Sequence, residues 1–181
     1  MVTTAFAVSV AGAAKKAMLV TGQSSLPTSV ITRGGDVRSL DLFNPNTQEN
    51  ASITFFANGS YNPQALHDLN LFMRDYHVNT PHVMDPRLFN LAHDMQNVFD
   101  RRPIHVISAY RTRATNDRLV RQHVTTAKDS FHVKGQAIDI RIPGIPTSAM
   151  RDIAKILGVG GVGYYPWAHF IHIDTGPVRF W

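Results

Sequence analysis

A histidine and an aspartate in the segment SFHVKGQAIDIRIPG, residues 130–144, are candidates to share one ligand. His132 lies seven positions before Asp139. On a regular strand two such residues point to opposite faces, and on a helix they lie about 10 Å apart along the axis. Metal donors must instead lie about 2 Å from one ion. The two side chains can therefore converge only if the chain turns between them, and Gly135 can adopt the positive φ of such a turn.

A second segment with the same division of faces is FIHID, residues 170–174. If it is a strand, its isoleucines take one face and His172 takes the other. The run AIDIRI, residues 137–142, separates its isoleucines from Asp139 in the same way. Each run is therefore predicted to bury isoleucines in the core and to present an acid or an imidazole on the opposite face.

His132, Asp139 and His172 together offer two imidazoles and one carboxylate. Three such donors, with a fourth position open to water, are typical of a catalytic zinc site. The chain has no cysteine, so any metal site must use His, Asp and Glu. By spacing alone, an ordinary half-exposed strand with a nearby loop histidine explains the pattern as well.

The composition is that of a globular protein with a basic surface. The chain has 181 residues, 44% of them hydrophobic and 17% charged, which suits one domain with a proper core. The absence of cysteine excludes disulfides, iron–sulfur clusters and cysteine-based zinc sites. A net charge of +5 favours anionic partners such as an acidic wall polymer, although a solvated basic face is the simpler interpretation.

The elements that must position these residues can be predicted from turn and cap signals. Residues 37–43 and 51–57 are β-rich runs joined by NPNTQEN, which is typical of a hairpin. Asn62 and Asp85 are each followed by proline, as at the start of a helix.

The second half of the chain is predicted to be richer in strands. Thr147 can cap a helix that Gly158 ends, and the glycine run GVGGVG, residues 158–163, is predicted as a tight turn rather than a phosphate loop. Strands are predicted over residues 104–109, 137–142 and 170–174. These elements predict an α+β fold: a single domain with a small antiparallel sheet flanked by helices.

The N-terminal residues 1–36 are predicted to be a tail and linker, followed by one domain over residues 37–181. The tail begins with an apolar, small-residue run that is too short to span a bilayer. It resembles an export signal without its basic start, with a cleavage-like AGA at 11–13. A disordered or weakly helical tail is the alternative.

Four motifs resemble the signatures of the YcbK-like murein endopeptidases. They are SAYRTRATN (108–116), SFHVKGQAIDIRIPG (130–144), GGVGYYP (160–166) and FIHIDTGPVRFW (170–181). The wider zinc peptidase superfamily includes D-Ala-D-Ala carboxypeptidases, D-Ala-D-Ala dipeptidases and the hedgehog signalling domain, so the resemblance implies a fold of that kind. It also implies that His132, Asp139 and His172 are the ligands of Zn²⁺.

The resemblance further implies hydrolysis of peptide cross-links in peptidoglycan, in this subfamily the 3–3 link between two diaminopimelate residues. The expected partner is the peptide stem, and neither nucleic acid nor a stable membrane span is expected. The protein is expected to be a monomer in the periplasm or otherwise exported. The alternatives are a D,D- or L,D-carboxypeptidase on the same scaffold and a non-catalytic domain that binds zinc or cell wall.

The proton acceptor is the least defined role that the resemblance implies. In the superfamily an acidic residue commonly lies three positions before the last histidine ligand, and here that position is His169. Histidine commonly acts as a general base near neutral pH, so His169 is one candidate for the base. Asp174 is the other candidate, although it could instead orient an imidazole or stabilise the following turn.

Substrate contacts are expected from the SAYR motif and from the residues around the donors. Arg111 is predicted to hold a substrate carboxylate or to stabilise the oxyanion, which makes it both a binding and a catalytic candidate. Three further residues are predicted to contact substrate: Ser130, Gln136 and Tyr165.

Overall fold

The computed structural model describes residues 36–122 and 127–181. The predicted export-signal remnant lies outside these residues. Four α-helices and one eight-stranded sheet form the described part, which confirms the α+β prediction. The strands are β1 (Arg38–Asn44), β2 (Glu49–Ala57), β3 (Ser60–Tyr61), β4 (Ile104–Ser108), β5 (Ala137–Arg141), β6 (Gly161–Tyr165), β7 (Phe170–Asp174) and β8 (Arg179–Phe180). The helices are α1 (Pro63–Phe72), α2 (Pro86–Val98), α3 (Arg113–Gln122) and α4 (Thr147–Leu157).

The two Asx-Pro helix starts form as predicted. The Asn62 side chain accepts hydrogen bonds from the backbone N–H groups of Gln64 and Ala65 at 3.0 and 3.2 Å. Asp85 accepts from the Arg87 backbone N–H at 3.0 Å. Each cap satisfies N–H groups that the helix itself leaves without a partner, and proline at the first helical position has no N–H to satisfy.

The prediction that Thr147 caps α4 is wrong by one residue. Thr147 is the first residue of the helix, Pro146 occupies the cap position, and no side-chain hydrogen bond closes this end. Proline at the cap has an extended backbone, with ψ of 136°, so the helix can start only at the following residue. The predicted end is confirmed, because Gly158 follows the helix with φ of 63°.

The sheet is larger than the small sheet that the sequence predicts. Its eight strands have the order β3-β2-β1-β4-β5-β7-β6-β8. Most neighbours are antiparallel, but β1 pairs with β4 and β6 pairs with β8 in parallel. The chain between β1 and β4 contains α1 and α2, and a long crossover of this kind returns a strand in the same direction. No helix in the described ranges is long and apolar enough to span a membrane.

One face of the central strands is buried against the helices. Ile138, Ile140 and Ile142 are at most 1% exposed, and Ile171 and Ile173 are fully buried. These residues belong to a single core with apolar side chains of the strands β1, β2, β4, β6 and β7 and of helices α1, α2 and α4. Because side chains alternate along a strand, the opposite face of β5 and β7 is left for the predicted donors.

Candidate metal centre and cleft

The turn that brings His132 toward Asp139 is a short 3-10 helix, Phe131–Lys134, that ends at Gly135. Gly135 has φ of 67°, as the sequence predicts. A Cβ atom at this position would lie 2.6 Å from the Val83 carbonyl oxygen, so glycine is required for space as well as for conformation. The Ser130 hydroxyl caps the turn by accepting from the His132 backbone N–H at 3.3 Å.

His172 reaches the same point from the neighbouring strand. Asp139 on β5 is directly opposite His172 on β7 in the antiparallel register. Directly opposite side chains on one face have Cβ atoms about 5 Å apart, which places the carboxylate and the imidazole within reach of each other. Three backbone elements, the 3-10 turn and two paired strands, therefore fix the three donors.

The donor atoms of these residues form a nearly equilateral triangle. His132 Nε2 lies 3.2 Å from Asp139 Oδ1 and 3.1 Å from His172 Nδ1, and the third side, from His172 Nδ1 to Asp139 Oδ1, is 3.0 Å. Tetrahedral zinc with bonds near 2 Å separates its ligand atoms by about 3.3 Å. The triangle therefore has the size that suits a single bound zinc ion.

In each histidine ring, the nitrogen that points away from the triangle (the outer nitrogen) donates a hydrogen bond to a protein acceptor. His132 Nδ1 donates to the Ala109 carbonyl oxygen at 2.6 Å, and His172 Nε2 donates to Asp174 Oδ2 at 3.0 Å. A neutral imidazole carries one N–H, so His132 Nε2 and His172 Nδ1 are left with lone pairs. Two lone pairs and a carboxylate oxygen then face one another, an arrangement that a cation satisfies and that fits a divalent metal.

Asp139 remains ionised in this buried site. Burial alone would raise the pKa of Asp139, but the contacts with His132 and His172 hold it well below its ordinary value. Its second oxygen, Oδ2, accepts from Arg111 Nη2 at 2.7 Å. Arg111 is itself fixed by donating from Nε to the Ser108 hydroxyl at 2.8 Å. The guanidinium thus compensates the buried charge and leaves Oδ1 facing the triangle.

The two histidines respond differently to the same surroundings. Burial lowers the pKa of His132, which favours the neutral ring. Burial also opposes a charge on His172, but hydrogen bonds with Asp139 and Asp174 raise its pKa above the ordinary value in the absence of metal. A proton therefore competes with a cation for this site chiefly at His172.

Asp174 lies behind His172 and is fully buried. Its Oδ1 accepts from the backbone N–H groups of Gly161 and Gly176, and Arg179 donates to both oxygens at 3.0 and 2.7 Å. Burial would raise the pKa of Asp174, but bonds from His172, Arg179 and these N–H groups lower it far below its ordinary value. Its oxygens are therefore engaged by the protein rather than turned to solvent.

A cleft of about 390 Å³ opens over the donor triangle. Its wall combines two guanidinium groups, those of Arg111 and Arg179, with aromatic rings. Tyr165 and Phe170 stack with their centroids 4.7 Å apart, and the Trp181 indole donates to the Tyr165 hydroxyl at 2.9 Å. The site is therefore accessible to a ligand that carries both anionic and apolar groups.

The predicted substrate contacts are divided between this cleft and other positions. Arg111, Ser130 and Tyr165 line the cleft, whereas Gln136 does not. His169 is exposed, ends the 3-10 turn Pro166–Ala168 with φ of 56°, and also lies outside the cleft lining. The structure thus brings three of these five candidates to the donor triangle.

Arg179 and Trp181 line the cleft, but neither was singled out from the sequence. Both lie after the FIHID strand, in the last part, TGPVRFW, of the motif at 170–181. The family resemblance of that motif was therefore the signal that could have identified them. Spacing alone could not reveal them, because their contact with the site depends on the parallel pairing of β8 with β6.

The chain matches known proteins along most of its length. A sequence model of the family described as peptidoglycan L,D-endopeptidase MepK matches residues 32–181. The probable peptidoglycan L,D-endopeptidase MepK of Haemophilus influenzae is 43% identical over 164 residues, which cover 88% of each chain. The peptidoglycan L,D-endopeptidase MepK of Escherichia coli K12 is 43% identical over 145 residues, which cover 80% of each chain. This protein therefore belongs to the peptidoglycan L,D-endopeptidase MepK family.

Proposed function

We propose that this protein is a zinc-dependent L,D-endopeptidase that hydrolyses peptide cross-links of peptidoglycan. The observation that carries the proposal is the triangle of His132 Nε2, Asp139 Oδ1 and His172 Nδ1 at the base of an open cleft. The relatives at 43% identity are named for this activity, and they cover at least 80% of the chain.

His132, Asp139 and His172 are the residues that would hold the metal. When bound, zinc acts as a Lewis acid toward the scissile carbonyl and lowers the pKa of water toward neutrality. The protein's part is to fix which nitrogen of each imidazole faces the metal and how each ring is oriented. The Ala109 carbonyl and the Asp174 carboxylate do this through the outer ring nitrogens.

Arg111 has two roles in this proposal. Its Nη2 and Nε are engaged by Asp139 and Ser108, so it holds the carboxylate ligand in place. The same guanidinium lines the cleft, where it can attract a substrate carboxylate or the charge that develops on the scissile oxygen. Asp174 is assigned a positioning role, because its oxygens accept from His172, Arg179 and backbone N–H groups.

The proposed substrate is the 3–3 cross-link between two diaminopimelate residues. Such a stem carries free carboxylates beside the scissile amide, and the cleft wall supplies the guanidinium groups of Arg111 and Arg179. The net charge of +5 also favours approach to an anionic wall polymer. We propose that the protein acts as an exported monomer, outside the cytoplasmic membrane.

Digestion of purified peptidoglycan, with the products resolved by mass, tests this function. We expect the wild-type protein with zinc to release the products of 3–3 cleavage and to lose that activity with a chelator. His132→Ala should lower activity by more than about a thousandfold, because the set would lose a donor and the site its metal. Exposed His67 on α1 provides the control, since His67→Ala should leave activity unchanged.

Two results would contradict parts of this proposal separately. Wild-type activity that survives complete chelation would overturn the metal mechanism. Products limited to 4–3 cleavage or to release of terminal D-Ala would overturn the bond specificity and would favour a D,D-endopeptidase or a carboxypeptidase on the same site.

A further inference from the structure

Strand β6 has glycine at two positions that face the metal centre. Gly163 lies directly opposite His172 in the register, and Gly161 donates its backbone N–H to Asp174 Oδ1 at 3.0 Å. A Cβ atom on Gly161 would lie 2.5 Å from Asp174 Oδ2, and one on Gly163 would lie 2.8 Å from the Trp181 ring. Real Cβ atoms do not lie at such distances, so β6 carries no side chain at these two positions.

The space over the two glycines is filled from β8. In the parallel register Gly161 pairs with Arg179, so the Arg179 side chain crosses over β6 toward β7. There it forms a two-point contact with Asp174, from Nη1 to Oδ1 at 3.0 Å and from Nη2 to Oδ2 at 2.7 Å. The glycine run 158–163 thus forms the predicted turn only at residues 158–160. Its glycines at 161 and 163 lie in strand β6, where they leave space for the Arg179 and Trp181 side chains.

Two aromatic rings lie against the guanidinium. The Arg179 carbon Cζ lies 4.8 Å from the Phe131 ring centre and 4.9 Å from the Trp181 ring centre. The Trp181 ring in turn lies 5.3 Å from the His172 ring. A planar group that contacts two rings and is forked onto a carboxylate has little freedom to rotate.

We propose that Arg179 is a positioning residue for the third metal ligand, an inference that rests on the proposed zinc function. It fixes the plane of the Asp174 carboxylate, and Asp174 Oδ2 fixes the His172 ring through Nε2. Gly161 is required for this path, because any side chain there would occupy the place of the ion pair. The β8 strand thereby belongs to the metal centre, although it supplies no ligand.

Metal affinity of the metal-free protein tests the inference without any peptidase assay. Zinc is titrated into wild type, Arg179→Lys and Arg179→Met against a competing chelator, and Co²⁺ loading reports ligand geometry through its visible spectrum. We expect Arg179→Met to bind zinc about tenfold more weakly and to show a changed Co²⁺ spectrum. Arg179→Lys should recover part of the affinity, because it keeps the charge but loses the fork.

The matched control is Arg151→Met on α4. Arg151 also pairs with an aspartate, Asp152 at 2.8 Å, and also lies over an aromatic ring, Tyr164 at 4.5 Å. Neither partner is a predicted ligand or supports one, so zinc affinity should stay at the wild-type value. Loss of affinity in this control equal to that of Arg179→Met would mean a general effect of removing a stacked arginine and would overturn the inference.

Gly161→Ala disturbs the same Arg179–Asp174 contact by adding a Cβ atom beside it. This variant tests the inference if an Arg179 variant does not fold. Folding is checked from the melting temperature of each metal-free variant. We expect Gly161→Ala to lose zinc affinity as Arg179→Met does. Wild-type affinity and an unchanged Co²⁺ spectrum in either folded variant would overturn the inference, whereas no zinc binding by the wild type would contradict the proposed function instead.

Discussion

At the scale of single residues, the outer nitrogens of the two histidines decide what the inner nitrogens can do. Ala109 and Asp174 each accept one N–H, and each choice leaves a lone pair toward Asp139. The two acceptors differ in kind, since one is a backbone carbonyl and the other an ionised carboxylate. Asp174 is therefore the point at which a single side-chain substitution can change the preferred form of a ligand.

Asp174→Asn and His169→Ala distinguish the two bases predicted from the sequence. We expect Asp174→Asn to weaken zinc binding by about 10–100-fold, because the amide supports the His172 N–H less well. His169→Ala should bind zinc normally and keep most of its activity, because the ring is exposed outside the cleft lining. Zinc affinity and kcat are measured for both variants.

Two other results would instead support His169 or Asp174 as the proton acceptor. If His169→Ala lowered kcat by more than a hundredfold with normal zinc affinity, His169 would be the proton acceptor. If Asp174→Asn lost kcat but kept its affinity, the positioning role proposed for Asp174 would be wrong.

The sequence made the donor residues candidates through their chemistry and parity, which are local properties, and the family resemblance implied the full set of three. The odd spacing of His132 and Asp139 demands a turn, and the chain has glycine at 135 for it. The partners of these donors could not be inferred. The contact of Arg111 with Asp139 depends on how the loop after β4 folds back, and no periodicity encodes that path.

At the scale of elements, the turn at Gly135 joins the ligand turn to strand β5. Its backbone N–H and C=O both take part in fixed contacts, the carbonyl accepting from the Asp85 N–H at 2.8 Å. The Asp85 side chain in turn accepts from the Thr175 hydroxyl at 2.8 Å, next to the end of β7. The start of helix α2 therefore braces both segments that hold the donors.

Gly135→Ala should disturb this turn more than its backbone angle alone predicts. A left-handed alanine costs about 1–2 kcal/mol, and a Cβ atom here would also meet the Val83 oxygen at 2.6 Å. Gly59 is the matched control, with φ of 78° and nothing within 4 Å of its Cβ position. We expect Gly59→Ala to lower the free energy of unfolding only by the cost of a left-handed alanine backbone.

The free energies of unfolding and the zinc affinities of both variants test this expectation. Gly135→Ala should lose more stability than Gly59→Ala and should also bind zinc more weakly, whereas Gly59→Ala should keep its affinity. Equal losses of stability with equal affinities would show that the turn is not required to bring His132 to Asp139.

A second connection between elements runs through Asp75, just after α1. Its Oδ2 accepts from both the backbone N–H and the hydroxyl of Thr112 at 2.9 Å, beside Arg111. Burial opposes the charge, but hydrogen bonds from Thr115 and Thr112 lower the pKa of Asp75 below its ordinary value. The carboxylate therefore anchors the loop that carries the cleft arginine.

Asp75→Asn is expected to destabilise the protein by about 1–3 kcal/mol near neutral pH, because an amide cannot replace all of these acceptors. A lowered pKa stabilises the folded state above the unfolded value, near pH 4, and this contribution is lost as pH falls through the folded value. The difference from wild type should therefore shrink below about pH 4. Urea unfolding at several pH values measures it.

Exposed Asp68 on α1 is the control for this pH dependence. Asp68→Asn should change the free energy of unfolding little at every pH, because water solvates this carboxylate in both the folded and the unfolded state. A difference between wild type and Asp75→Asn that stayed constant down to pH 3 would contradict the role of the ionised Asp75.

At the scale of the whole molecule, the sequence predicted the class of fold better than the connections within its sheet. Caps such as Asn62-Pro63 and alternation such as that of Ile138 and Ile140 are short-range signals, and the elements that they mark form as expected. The parallel pairs β1–β4 and β6–β8 join segments far apart in the chain or separated by another strand. Such pairing is decided by packing of the whole core, which short-range patterns do not specify.

Zinc binding should stabilise the whole domain, because the donors lie on separate elements and an unfolded chain holds no preformed site. At free zinc about a thousandfold above Kd, we expect about 4 kcal/mol of added stability. For a domain of this size that is an increase of roughly 10 °C in Tm. Calorimetry of the metal-free and zinc-loaded protein measures the shift.

His132→Ala provides the reference for this measurement. Its Tm should respond little to zinc, because two donors remain from the set of three. An equal rise in Tm for wild type and His132→Ala would place the stabilising zinc at another site.

The donor triangle also has a mechanical consequence for a chain that cannot form a single disulfide. Its sides join residues separated by seven and by 33 positions along the chain. An ion held by all three donors closes both loops at once, as a covalent staple would, and so restricts the unfolded chain. Unlike a disulfide, such a metal link would withstand reducing agents, and acid would weaken it because protons compete with the ion chiefly at His172.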